Sequence, residues 1–248
     1  MLRGFKRKKM GNPKTENKNA KVKKGGPKER KGDFTRKTTE TDIKLSLNLD
    51  GKGKYVIKTG VPFFNHMLEQ FSKHSRFDMT LKAKGDIEVD LHHLIEDTGI
   101  VIGSALKELA GDKKGIRRFG SAFVPMDEAL VHSVADFSGR AFFVYKDTSD
   151  VPGSFHLIKS FEGLKGKYSN FDEEGAREVL VDKFFYTYSN IFFEALCKNA
   201  LINLHINVAY GNNTHHMVEA IFKSTGIAIS DALKVVGNYG IPSTKGSI

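Results

Sequence analysis

The sequence predicts an α+β fold of two similar ββαβα halves, each a sheet with its helices on one face. Three observations predict it: apolar–polar alternation that begins after residue 33, helical stripes interleaved with such strands, and a His-His-x-x-Glu motif occurring once in each half at matching places. The chain has 248 residues, 40% of them hydrophobic, enough for one sizeable core or two smaller ones. Collagen-like, fully disordered and miniprotein classes are thereby excluded.

The formal charge of +10 is confined to residues 1–33, where 13 Lys and Arg stand against Glu16, Glu29 and Asp33. That segment has no apolar run and contains Gly25-Gly26-Pro27, so it reads as a disordered basic tail. Lacking an h-region it is not a secretory signal, and lacking Ser it is a poor transit peptide. A solvated extension competes here with an anchor for RNA, DNA or an acidic surface, and without interleaved aromatics nothing makes that anchor specific. A single cysteine, Cys197, cannot close a disulfide within the chain, and no stretch reaches the roughly 18 apolar residues of a membrane span. A cytoplasmic protein without a membrane partner is expected.

Ile43, Leu45, Leu47 and Leu49 alternate with polar residues, the signature of a half-buried strand. Asp50-Gly51-Lys52-Gly53 tolerates the positive φ of a tight reversal, so Tyr55 to Ile57 are expected to return as the hairpin partner. Phe64, Met67, Leu68 and Phe71 lie on one helical stripe. A strand from Phe77 to Lys84 turns at Gly85-Asp86 into a short extended run to Asp90. A second helix spans Leu91 to about Ala110, burying Ile95, Ile102, Ala105 and Leu109. After Lys113-Lys114-Gly115 the order repeats: strands near Arg118 to Val124, Glu128 to Asp136 and Ala141 to Tyr145, with a turn at Ser138-Gly139. Next come a polar stretch, a helix carrying Phe192, Phe193, Leu196 and Cys197, a strand from Leu201 to Tyr210, and a helix from Thr214 to about Val236. The domain reading is a tail at 1–33, a first repeat at 34–112, a second at 113–237 with an insertion near 146–175, and a C-terminal segment at 238–248. Phe63-Phe64 through His92-His93-Leu94-Ile95-Glu96 is echoed by Phe192-Phe193 through His215-His216-Met217-Val218-Glu219.

On a helix, residues i and i+4 lie nearly above one another while successive residues diverge by about 100°. His92 and Glu96 therefore point one way and His93 another, so one helix can serve two metal ions. Two imidazoles and a carboxylate suit Mn, Fe, Zn or Ni, and one cysteine excludes sulfur-based zinc sites. A lone His pair could equally cap or solvate a helix start; recurrence in a duplicated unit favours the metal. His66, on the preceding helix, could complete a shell, whereas His74 and His205 belong to no motif. Arg117-Arg118, Arg140, Lys223 and Ser243-Thr244-Lys245 are spaced cations that could hold an anion if the fold gathers them.

Across residues 35–248 the sequence resembles the imidazoleglycerol-phosphate dehydratase family of histidine biosynthesis. The resemblance lies in Arg36-Lys37-Thr38-Thr39-Glu40-Thr41, Phe63-Phe64-Asn65-His66-Met67-Leu68, Asp90-Leu91-His92-His93-Leu94-Ile95-Glu96-Asp97-Thr98-Gly99, Arg118-Phe119-Gly120, and Val124-Pro125-Met126-Asp127-Glu128-Ala129. It continues in Asp136-Phe137-Ser138-Gly139-Arg140, Gly211-Asn212-Asn213-Thr214-His215-His216-Met217-Val218-Glu219-Ala220 and Pro242-Ser243-Thr244-Lys245-Gly246.

The resemblance implies a doubled fold like the second domain of ribosomal protein S5, and a homo-oligomer of 24 subunits with active sites between them. It implies two Mn ions per subunit, held by His66, His92, His93, Glu96, His215, His216 and Glu219. Glu40, Glu96 and Glu219 would be catalytic. Glu40, Gln70, Arg118, Arg140, Lys223, Ser243 and Lys245 would bind the phosphorylated imidazole substrate, imidazole glycerol phosphate, which loses water to give imidazole acetol phosphate. Such an elimination needs the ring as an electron reservoir, and cations at both ring nitrogens would stabilise an imidazolate while a carboxylate moves protons. The resemblance implies a further metal-binding His where this chain has Ile191, with His156 in the insertion as a conceivable substitute. Leu94 stands where the resemblance implies Thr.

Overall fold

The first strand begins inside the segment expected to be a tail. The computed structural model describes residues 30–149, 187–237 and 240–246. In it β1 (Lys31–Lys37) pairs antiparallel with β2 (Thr41–Asn48). Only Phe34 of β1 is a large apolar residue, too little for a periodic signal, yet the strand is anchored. The Arg30 guanidinium grips Asp50 at 3.1–3.2 Å and donates to the Leu233 carbonyl at 2.6 Å.

Each half has one strand more than the ββαβα order allows. The first runs β1, β2, β3 (Tyr55–Lys58), α1 (Pro62–Ser75), β4 (Asp78–Gly85) and α2 (His92–Ala110). The second runs β5 (Phe119–Met126), β6 (Ala129–Asp136), β7 (Phe142–Asp147), α3 (Ser189–Ala200), β8 (Asn203–Tyr210) and α4 (Thr214–Leu233). The sheets have the orders β1-β2-β4-β3 and β5-β6-β8-β7, the same topology twice.

The hairpin expected at 50–57 does not form. Both edges of β2 are taken, by β1 and β4, so β3 pairs parallel to β4 instead, with Tyr55 opposite Met79. Asp78 steers the chain there by accepting from the Lys52 and Lys54 amides, each at 2.8 Å. The run expected to be extended up to Asp90 is a turn, closed by Val89 N–H on the Asp86 carbonyl at 2.8 Å. The excursion expected at 146–175 lies outside the described residues from residue 150 onward, as do His156 and most of the basic tail; β7 reaches two residues into that range, to Asp147. No helix among the described residues is long and apolar enough to cross a membrane.

Period-2 burial on β2 and β4 and the stripes of α1 and α2 form one core with their counterparts in the second half. Each pair of helices covers its own sheet, and the two helical layers meet between the sheets, α1 against α4 and α2 against α3. Phe64, Phe192, Phe193 and Phe222 are fully buried at this junction, with ring centroids 4.8–5.7 Å apart. Burial of such a side chain stabilises by about 1.5–3 kcal/mol.

Glycines set how closely the helices meet, Gly99 of α2 against the Phe192 carbonyl of α3 among them. A Cβ on Gly226 of α4 would stand 2.9 Å from the Phe71 carbonyl oxygen of α1, and one on Gly103 of α2 would strike the Leu196 carbonyl of α3. Helices α1 and α3 both end on a left-handed residue, Arg76 and Leu201, which are 125 residues apart. That register sets Phe192-Phe193 opposite Met67-Leu68, so the echo with Phe63-Phe64 is a coincidence of letters rather than of position.

Replacing Gly by Ala in an exposed helix stabilises by about 1 kcal/mol. Gly103→Ala and Gly226→Ala are expected to do the reverse, losing about 1–3 kcal/mol through overpacking, visible as a lower denaturant midpoint at unchanged m-value.

Candidate functional site

The His pairs occupy the first turns of α2 and α4, where backbone N–H groups lack helical partners. Asp90 Oδ1 accepts from the His92 amide at 2.7 Å, and Asn213 Oδ1 from the His216 amide at 3.2 Å. These side chains fix where each helix starts, and hence which way each imidazole points.

On α4, His215 Nε2 lies 3.3 Å from Glu219 Oε2, one turn on. From the other half, α1 delivers His66, whose Nε2 is 3.2 Å from the same oxygen. The three donor atoms all lie within 4.8 Å of one another, the one such three-donor cluster among the described residues. Phe63 meets the His215 ring edge-on at 5.4 Å. Glu219 Oε1 takes an ion pair from Lys223 at 2.7 Å, leaving Oε2 for the imidazoles. Burial raises the affinity of the Glu219 carboxyl for its proton, but hydrogen bonds from Lys223 and His66 and their charges outweigh it, so its pKa falls below the usual carboxylate range. An ionised carboxylate between two imidazoles fits a divalent cation, which binds such N and O donors at about 2.0–2.2 Å.

On α2 the pattern is looser. His92 Nε2 and Glu96 Oε2 are 3.6 Å apart, and both side chains are nearly half exposed. The second imidazole of each pair turns aside, the two rings of a pair lying at 80° on α2 and 86° on α4. His93 Nδ1 donates to the Asp86 carboxylate at 3.1 Å, and His216 Nδ1 to Glu128 at 2.9 Å. A carboxylate can only accept, so these bonds fix the tautomer and leave Nε2 as the metal-binding nitrogen. The Asp86 bond raises the His93 pKa, and the His216 bond lowers that of Glu128.

Glu40 Oε2 lies 3.8 Å from His93 Nδ1. Its loop is tied to α2 through buried Asp97, which accepts from Thr41 Oγ1 at 2.5 Å and pairs with Arg36 Nε at 2.8 Å. Gln70 stands one turn after His66 on α1. The fold gathers Arg118, Ser138, Arg140, Ser243, Thr244 and Lys245 around an open cavity of about 650 Å³. Arg118 is aimed there by Asp136, at 2.8 Å from Nε, and by the Pro242 carbonyl, at 2.8 Å from Nη1. Lys223 does not line this cavity; its ammonium goes to Glu219. His74 and His205 lie outside the three-donor cluster. Cys197 is buried, which pushes its thiol pKa up to about 11 and makes it a poor nucleophile.

Asp86, Glu128, Asp97 and Asp136 were not singled out by sequence reasoning. Each acts on a residue far along the chain or on another element, and no short-range spacing marks it.

The family model described as imidazoleglycerol-phosphate dehydratase matches residues 59–162 and 164–229. The chain belongs to the imidazoleglycerol-phosphate dehydratase family. It is 46% identical over 221 residues to the imidazoleglycerol-phosphate dehydratase of Acetivibrio thermocellus, covering 89% of this chain and 100% of that one. The Bacillus subtilis enzyme of that name is 46% identical over 220 residues, with 88% and 100% covered. The crystal structure of imidazoleglycerol-phosphate dehydratase from Staphylococcus aureus matches with TM-score 0.58 and 34% identity, covering 82% of this chain and 99% of that one. The structure from Pyrococcus furiosus matches with TM-score 0.61 and 31% identity, covering 86% and 99%. The duplicated α+β architecture is thus that of the dehydratase family.

Removing the Asp97 carboxylate leaves Thr41 without its acceptor and Arg36 without its counter-charge. Asp97→Ala is expected to cost about 1–3 kcal/mol, measured by chemical denaturation. An unchanged midpoint would mean that the Glu40 loop is held by other contacts.

Proposed function

We propose that the protein is a divalent-metal-dependent imidazoleglycerol-phosphate dehydratase, converting imidazole glycerol phosphate to imidazole acetol phosphate in histidine biosynthesis in the cytoplasm. The observation that carries this reading is the His66–His215–Glu219 cluster, assembled from both halves of a chain that belongs to this family.

Elimination takes the hydroxyl from the carbon attached to the ring and a hydrogen from the next carbon; the enol left behind tautomerises to the ketone. The carbon-bound hydrogen is not acidic in itself and its carbon is not conjugated with the ring. Loss of the ring N–H proton must first charge the ring, which then expels the hydroxyl, leaving as water with a proton, and so acidifies the neighbouring C–H. Bound cations, two Mn per chain on this reading, supply Lewis-acid stabilisation of that charge. The chain's residues do the rest. His66, His215 and Glu219 hold one ion, and His92 and Glu96 belong to the second site. Glu40, exposed and next to His93, takes the carbon-bound proton; Glu96 and Glu219 are the other carboxylates within reach of the chemistry. Arg118 and Arg140, with Ser243 and Lys245, bind the phosphate by charge-assisted hydrogen bonds. Gln70 and Lys223 border the metal end of the substrate.

His93 and His216 are immobilised yet turned away from the donors of their own helix. That supports a homo-oligomer, on this reading a 24-mer, in which these imidazoles complete sites on neighbouring copies.

The purified protein with Mn(II) is expected to turn over imidazole glycerol phosphate and to stop when a chelator strips the metal. Arg140→Ala is expected to raise KM by about 10- to 100-fold, the worth of a hydrogen bond to a charged group, with a smaller change in kcat. Full turnover by protein verified as metal-free would sink the reading.

A further inference from the structure

The two helix pairs repeat one geometry, and that repetition exposes a difference between them. The shift of 125 residues that relates Arg76 to Leu201 also relates Phe71 to Leu196, whose carbonyls face Gly226 and Gly103 respectively. Those two glycines are 123 residues apart, as are His92 and His215, and Glu96 and Glu219. α1 therefore lies on α4 as α3 lies on α2. The same shift carries His66 onto Ile191.

At the place from which α1 offers an imidazole to His215 and Glu219, α3 offers His92 and Glu96 a branched alkyl group. Ile191 is half-buried and packs against the core, and its carbons cannot ligate. A second difference points the same way. Lys223, which holds Glu219 Oε1 at 2.7 Å, has Ile100 as its counterpart on α2. The Glu219 side chain is 8% exposed and the Glu96 side chain 47%, so one carboxylate is fixed in place and the other is not. The first half-site is a pre-ordered three-donor cluster, and the second is a loose pair.

We propose that the two half-sites bind divalent cations with unequal affinity. The His66–His215–Glu219 site holds its ion tightly. The His92–Glu96 site, short of one protein donor because of Ile191, holds its ion at least roughly 10²-fold more weakly, since loss of a mere supporting partner of a ligand already costs 10- to 100-fold. The weak site keeps a coordination place for water and exchanges its metal freely. The inference rests on reading the clusters as metal sites.

The test uses the full-length, Mn(II)-loaded protein dialysed against rising chelator concentrations. Metal per chain is measured by elemental analysis, and bound Mn(II) by electron paramagnetic resonance. Two separate losses are expected, one ion per chain at low chelator and the second at a concentration at least roughly 10²-fold higher. Ile191→His is expected to move the first loss toward the second, and Ile191→Ala to leave both where they are. A single joint loss of both ions from the natural chain overturns the inference, as does an Ile191→His protein with an unmoved first step. Protein that carries no Mn(II) at any stage overturns the metal-dependent reading itself, a result distinct from the joint loss.

Discussion

The close approach of helices from opposite halves is the constraint on which the site depends. Gly226 lets α4 settle against the Phe71 carbonyl of α1, and Gly103 lets α2 settle against that of Leu196 on α3. A side chain at either place would push the helices apart. Because they meet so closely, His66 on the second turn of α1 reaches the first turn of α4, where His215 begins a different half of the chain. Duplication alone would give two similar sheets, each with its own His pair. The crossed packing makes the cluster a joint product of both halves, so its donors come together only once the Phe64–Phe192–Phe193–Phe222 junction has formed.

Within that frame the electrostatics of Glu219 follow from its neighbours. A carboxylate this buried would ordinarily take up a proton, because desolvation penalises its charged form. Lys223 and His66 reverse the sign, and the carboxyl stays ionised. The arrangement divides labour between the two oxygens: Oε1 is held by the ammonium, and Oε2 faces the two imidazoles. Glu96 has the same helical relation to His92 but neither the burial nor the lysine. Identical motif letters therefore make two electrostatically different sites.

What could be read from the sequence was what has local periodicity. Alternation at 43–49 marked β2, the Phe64–Phe71 stripe marked α1, and the repeated His-His-x-x-Glu marked the starts of α2 and α4. β1 escaped because an edge strand with only Phe34 on its inner face carries no pattern. The Asp50–Gly53 turn signal was real but misdirected: it identifies a reversal, not the strand that receives the chain, and β2 had no free edge left. The same limit applied to the site. Which cations share the cavity is a matter of three-dimensional neighbourhood, since Arg118 and Lys245 meet there from more than 100 residues apart, whereas the i,i+4 pairing that takes Lys223 to Glu219 instead is local to α4. Asp97's hold on the Glu40 loop and Glu128's on His216 likewise span 56 and 88 residues of chain.

The two imidazoles left over, His93 and His216, carry the argument beyond one chain. Each is locked by a carboxylate from outside its own helix, Asp86 in the turn after β4 and Glu128 between β5 and β6. Locking a ring costs conformational freedom, a cost that recurs in both halves although neither ring joins the three-donor cluster of its own chain. A ring whose Nδ1 is already held by a carboxylate keeps Nε2 in the tautomer a metal ligand must reach, so the ordering entropy is met at folding rather than at binding. That investment is understandable if a second copy of the chain brings the rest of the coordination shell. Assembly and metal binding would then be one linked equilibrium, each strengthening the other.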